Sequence, residues 1–136
     1  MGMRRKSREL ALQSLYLSEM SGLPALQALV MLREHFEADR KAYPYAEELV
    51  QGVTEHWQDI NTLLQDNAEN WRTDRMSIVD RNIMRVAILE LWYKEDVPAS
   101  VAINEAIEVA KRYSTEDAGS FINGILDAVS KAKAHV

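Results

Sequence analysis

A chain of 136 residues, 47% hydrophobic and 27% charged, is long enough for one domain with an ordinary core. It contains no cysteine, which excludes disulfides and thiolate metal sites. Its apolar runs are broken by charge within about eight residues, against the roughly 18 a membrane span needs, and no apolar segment follows the basic start to serve as a secretion signal, so the expected compartment is the cytoplasm.

Net charge is −5, unevenly spread. Arg4, Arg5, Lys6 and Arg8 place four of the 16 basic residues in the first eight positions, and no acid precedes Glu9. The remainder holds 12 basic and 21 acidic residues, a body of −9 beneath a tip of +4. That asymmetry suits an arm that seeks phosphate; the alternative is an incidental basic start on a solvated helix.

Apolar residues recur with helical spacing throughout, and no segment alternates with period two. The first helix is expected from Arg5 to Met20, with Leu10, Ala11, Leu15 and also Ser14 and Tyr16 at steps of three and four; Ser21-Gly22 supplies its stop. Pro24 suits the start of a second helix, whose stripe is Leu26, Leu29, Val30, Arg33 and Phe36 and which ends near the charged run Glu37 to Lys41. Pro44 opens the third and longest helix, where Ala46, Leu49, Val50, Val53, Trp57, Ile60 and Leu64 form one continuous seam. From Asn67 to Arg75 the pattern lapses, with Asn70, Thr73 and Asp74 offering turns and caps. Ser77 and Asp80 resemble a capping box, Asp standing for the usual Glu, ahead of a helix that buries Val79, Ile83, Val86, Ala87 and Leu91.

Pro98 breaks the chain, and Ser100 can cap a helix carrying Val101, Ala102, Ala106, Val109, Ala110 and Tyr113. Ser114 and Thr115 mark a last start, with Glu116 and Asp117 in the first turn, where acids complement the helix dipole. Phe121, Ile122, Ile125, Leu126 and Val129 follow, and the helix frays from Lys131 to Val136. The fold class is all-α: two small antiparallel helical bundles packed as one domain over residues 1–136, divided into halves near residues 67–77.

Nothing in this pattern performs catalysis. His35, His56 and His135 are isolated, without an E-x-x-H or H-x-x-x-H pair, and the five glycines never cluster into a phosphate loop. Glu105 and Glu108 have the i, i+3 spacing of half a carboxylate metal site, but the matching His is missing, so they read as surface or capping charges. No enzyme, metal or cofactor is expected. Some residues look costly for pure structure. Gly119 and Gly124 lie within the last helix, where each costs about 1 kcal/mol relative to Ala. Gly124, beside Asn123, reads as a close helix–helix approach; Gly119 reads as either that or the approach of an external backbone. Phe121 is a core ring or a stacking platform, and at least one of Tyr16 and Tyr113 is a core-edge tyrosine.

Between Asp80 and Asp127 three words follow in order: D-R-x-I-x-R-x-A-I-x-E-L, V-P-x-x-V-A-I-N-E-A-I-E-x-A-K and E-D-x-x-x-F-I-N-G-I-L-D. Each alone suits any packed helix. In this order and at these separations they resemble the NusB family of transcription antitermination factors, and R-x-x-R-E-x-A-L-Q-x-L-Y, from Arg5 to Tyr16, is similar to that family's first helix. The stretch from Leu23 to Lys41 carries no family word. The resemblance implies an all-helical protein that binds the boxA element of ribosomal transcripts together with NusE, a small-subunit ribosomal protein. It then acts in the RNA polymerase antitermination complex to suppress premature termination.

By position, the resemblance implies that Arg4, Arg5, Lys6 and Arg8 meet phosphates. Asp117 and Phe121 would face RNA at the start of the last helix, and Tyr16 and Asp80 would face NusE. Asp80 suits that role on physical grounds too, since a first-turn carboxylate can be exposed toward a basic partner. Specific RNA readers hold phosphates with basic groups and stack planar side chains on bases. Family members often carry Lys before the Phe of the last helix; Ser120 stands there in this chain, and Ala118-Gly119 lacks the polar residues common beside it, so an RNA contact is absent or moved. Members occur as monomers and as homodimers, so a homodimer stays open. The alternatives are the helical RNA-binding module attached to ribosomal RNA methyltransferases, disfavoured because no catalytic domain follows Val136, and a helical protein-interaction scaffold indifferent to charge reversal of the arm. A DNA-binding helix-turn-helix fits worse, because no helix carries a basic face beyond the arm.

Overall fold

The computed structural model describes residues 2–35, 39–68 and 76–134. Within these residues the chain forms seven α-helices and one short 3-10 turn, with no strand. The helices are α1 (Gly2–Ser21), α2 (Ala25–His35), α3 (Tyr43–Glu55), α4 (Trp57–Asn67), α5 (Ile78–Tyr93), α6 (Ala99–Tyr113) and α7 (Ala118–Lys133), with the 3-10 turn at Arg40–Ala42. No single helix among the described residues is long and apolar enough to cross a membrane.

Most helix boundaries follow the expected signals. Gly22 adopts φ +81°, a conformation L side chains rarely take, and ends α1. Pro44 occupies the first turn of α3. The Ser77 hydroxyl accepts from the Asp80 N–H at 3.0 Å and caps α5. Other boundaries differ. The basic start is already helical from Gly2, so it is no separate arm. Pro98 itself precedes the first residue of α6, and Ser100 lies inside that helix rather than capping it. Asp117 immediately precedes α7, so Glu116 and Asp117 sit before the last helix and not in its first turn.

The largest departure is at His56. The long third helix is two helices, α3 and α4, which meet where His56 leaves helical geometry at φ −108°, ψ 25°. Its ring stacks on Tyr93 with centroids 3.8 Å apart. Ile60 and Leu64 are buried as the seam required, but Trp57, at the turn of direction, is exposed. Val30 and Val101, assigned to apolar stripes, are exposed as well. Phe36, Glu37 and Ala38, the candidate turn residues Asn70, Thr73 and Asp74, and His135 lie outside the described residues.

The core is organised around α5, which packs against α1, α3, α4, α6 and α7. Its sequence, IVDRNIMRVAILELWY, is apolar on several faces at once, as a helix surrounded by others must be. Ile88 and Met84 are wholly buried there, each contributing about 1.5–3 kcal/mol through lost apolar exposure. α2 packs on α1 and α3, while α4 packs on α5 and α7, so α4, which precedes residues 67–77, joins the helices that follow them. The close helix approach is at Gly52 of α3, where an added Cβ would stand 2.6 Å from Leu89 Cδ2 of α5. Gly124 is exposed, with nothing within 4 Å of such a Cβ, so it is not a helix-contact glycine; a Cβ at Gly119 would make ordinary contact with Ile107 at 3.6 Å.

Candidate nucleic-acid interface

The N-terminal turns of α1 carry Arg4, Arg5, Lys6 and Arg8 and no acid in the first turn. Cations at the positive end of a helix dipole repel it, so this end is electrostatically unfavourable unless anions arrive from elsewhere. They arrive from three other parts of the chain. Arg4 Nη2 donates to Asp96 Oδ2 at 3.1 Å, in the turn between α5 and α6. Arg5 grips Glu105 of α6 with Nε at 3.0 Å and Nη2 at 2.6 Å. Lys6 Nζ lies 3.8 Å from Asp39 Oδ2. Glu105 is therefore an ion-pair partner of the tip, not a free surface charge, and the Arg5 hydrogen bonds hold its carboxyl below the usual glutamate range.

Arg8 differs from the other three. Its side chain is only 6% exposed, and its Nε and Nη2 reach the two oxygens of Glu90 at 2.9 Å each; Glu90 itself is 1% exposed. Arg8 Nη1 adds Glu105 at 3.3 Å, and the Tyr45 hydroxyl donates to Glu90 Oε2 at 2.5 Å. Burial opposes the charge on Arg8, but the hydrogen bonds and charge of Glu90 outweigh it and lift the guanidinium above its ordinary value. Burial, then Glu90, push the Tyr45 phenol far up as well. A group so enclosed is part of the fold, so Arg8 is removed from the set that could touch phosphate. Arg4, Arg5 and Lys6 remain at the surface, and Arg4 also lies 4.2 Å above the Tyr45 ring. The Arg4 and Lys6 pairs, exposed on both sides, contribute about 0–1 kcal/mol each, so a phosphate can replace those carboxylates at small cost.

The opposite part of α1 borders an open apolar groove lined by Leu12, Tyr16, Leu17, Leu32, Val79 and Tyr113. Tyr16 is 40% exposed at its edge, and the Tyr113 hydroxyl, half-buried, accepts from Gln13 Nε2 at 3.1 Å. Asp80 follows Val79 directly and so belongs to the same end of the molecule, but it is not exposed. The residue is 6% accessible, and Oδ1 accepts from the Ser114 hydroxyl at 2.5 Å. The expectation of an outward-facing Asp80 carboxylate is corrected: it ties the start of α5 to the end of α6.

Asp117 is exposed just before α7, and Phe121, one turn on, is a half-buried ring packed against the core. Between them and α1 lies α6, whose Arg112 Nη1 reaches both oxygens of Glu9 at 3.2 Å. Sequence reasoning passed over Glu90, Tyr45 and a second charge set, in which the buried Arg85 pairs with Glu19, donates to Asn61 Oδ1 and Asn82 Oδ1 at 2.8 Å each, and covers Trp57 at 4.4 Å. The signal for Glu90 was available: with Ile83 and Ala87 it continues the core-facing steps of four and three.

Residues 5–131 match the model of the NusB family. The transcription antitermination protein NusB of Desulfosudis oleivorans is 45% identical over 134 residues, covering 96% of this chain and 87% of that protein. Among solved structures, T. maritima NusB superposes with a TM-score of 0.83 at 38% identity, covering 94% of this chain and 90% of that one. A chain from the crystal structure of the antitermination factors NusB and NusE in complex with double-stranded RNA gives 0.85 at 27% identity, covering 97% and 98%.

Proposed function

The chain belongs to the NusB family, and from that we propose that it is a transcription antitermination factor that binds boxA RNA together with NusE. In this reading it acts in the cytoplasm, within the RNA polymerase antitermination complex, to suppress premature termination of ribosomal RNA transcripts. It is a binding protein with no catalytic role.

One observation carries the reading for this chain. A single helix, α1, presents exposed cations at one end and the rim of an apolar groove at the other. Arg5 and Tyr16 are separated by about 16 Å along that helix. A partner seated in the groove would therefore stand beside RNA held at Arg4, Arg5 and Lys6. The body is acidic, and a basic ribosomal protein supplies the positive field that it lacks.

Gel-shift titration of a boxA-like RNA, single-stranded and as a duplex, with and without NusE, tests this. The partner should tighten binding, and Tyr16→Ala should abolish that gain while leaving helicity intact. Replacing Arg4, Arg5 and Lys6 by Ala should flatten the log–log salt dependence by about 2, at about 0.7 per phosphate on a single strand. RNA affinity indifferent both to the partner and to the three cations would refute the proposal.

A further inference from the structure

We propose that Lys111 and Arg112, in the last turn of α6, form a second phosphate contact that carries RNA from the α1 cations across to the start of α7. The inference rests on the RNA-binding reading above and adds residues to its surface.

The need arises from charge. If RNA passes over Phe121, it meets an α7 that holds no Lys or Arg between Ala118 and Ser130 and is preceded by the exposed acids Glu116 and Asp117. A polyanion laid there requires cations from a neighbouring element. The last turn of α6 holds two, and both are well exposed, Lys111 at 67% and Arg112 at 68%.

Their placement fits a path. Arg112 turns toward α1, where it pairs with Glu9, one helical turn beyond Arg5 on the same face. Glu9 is largely covered and fixes the guanidinium through Nη1, so the Nε–Nη2 edge is available for a two-pronged phosphate contact. Lys111 lies on the side of α6 nearer α7. It stands four residues after Ile107, the residue that faces Gly119, and so lies one turn along the same face of α6, beside the α7 start. Its ion pair with Glu108, at 3.1 Å, is an exposed i, i+3 pair that a phosphate can displace. Arg5, Arg112 and Lys111 then form a line of cations over α1 and α6 that ends at the turn leading into α7.

The test measures affinity for a boxA-like single strand between 50 and 200 mM salt, with NusE saturating. The Lys111→Ala/Arg112→Ala variant should flatten the log–log slope by about 1.4, so that its affinity falls about sevenfold less than the parent's over that range. Arg112→Lys with Lys111 kept should retain the parent slope, and thermal melting reports whether the loss of the Glu9 pair unfolds the chain. Lys131→Ala removes the same kind of charge from the far end of α7 and should leave the slope unchanged. An unchanged slope in the double variant, while the Arg4/Arg5/Lys6 variant loses binding, overturns this inference and leaves the RNA reading standing. Equal flattening by Lys131→Ala also overturns it, because net charge alone would then account for the effect.

Discussion

Arg8 and Arg5 are three residues apart and have opposite roles. Arg5 lies at the surface and can exchange Glu105 for a phosphate, whereas Arg8 neutralises a carboxylate that has no access to water. Arg8→Ala should therefore destabilise the fold by about 3–5 kcal/mol, the cost of leaving one member of a buried pair uncompensated. Adding Glu90→Gln should recover part of that loss, a coupling that urea denaturation of both single variants and the double variant measures. Glu105 adds a pH dependence. Its folded pKa lies below the ordinary 4.5, chiefly through the Arg5 hydrogen bonds. Its contribution to stability is therefore complete above that value and is lost as pH falls through the lower folded value. The difference in urea midpoint between the parent and Glu105→Gln should be constant from pH 7 to pH 5 and shrink below about 4.5.

Glycines distinguish the helices in the same way. Gly52 lets α3 lie against Leu89 of α5, and Leu89 is enclosed and has little room to yield. Gly52→Ala should cost about 1–3 kcal/mol by overpacking. Gly124 has open space around it on α7, so Gly124→Ala should instead gain up to about 1 kcal/mol, because Ala suits a helix interior better than Gly. Chemical denaturation of the two variants reads both signs, and a destabilised Gly124→Ala would mean that the exposed face of α7 has a contact absent from this fold. The break at His56 belongs to this scale too. The apolar seam keeps its spacing through Trp57, so a change of axis there has no marker in the pattern, although it is what turns α4 onto α5 and α7.

At the scale of the whole molecule, the cations and the groove share one helix, so in the proposed reading the partner and the RNA would bind side by side. The factor by which NusE tightens RNA binding must equal the factor by which RNA tightens NusE binding, because both describe one coupling free energy. Titrations in both orders should give the same ratio, and Tyr16→Ala should bring both ratios to one. Asp80 is a poor probe of that surface. Its bond to Ser114 makes Asp80→Lys a change to the α5–α6 contact, which should appear as a lower melting temperature before any effect on the partner is read.

The sequence by itself determined the helical class, most helix ends and the location of the positive charge. These depend on neighbours three and four residues away or on backbone chemistry at single positions such as Gly22, Pro44 and Ser77, and such information is local. It also held a muted sign of the buried charges, since Arg8 precedes Ala11 and Leu12, and Glu90 follows Ile83 and Ala87, at core-facing spacing. Only the tertiary structure decided which cations stay at the surface. Arg8 and Glu90 are 82 positions apart in the chain, and Arg5 and Glu105 are 100 apart. A guanidinium reads the same in sequence whether it meets water or a carboxylate. Which one it meets depends on the packing of α1 against α5 and α6, and that is a property of the assembled core.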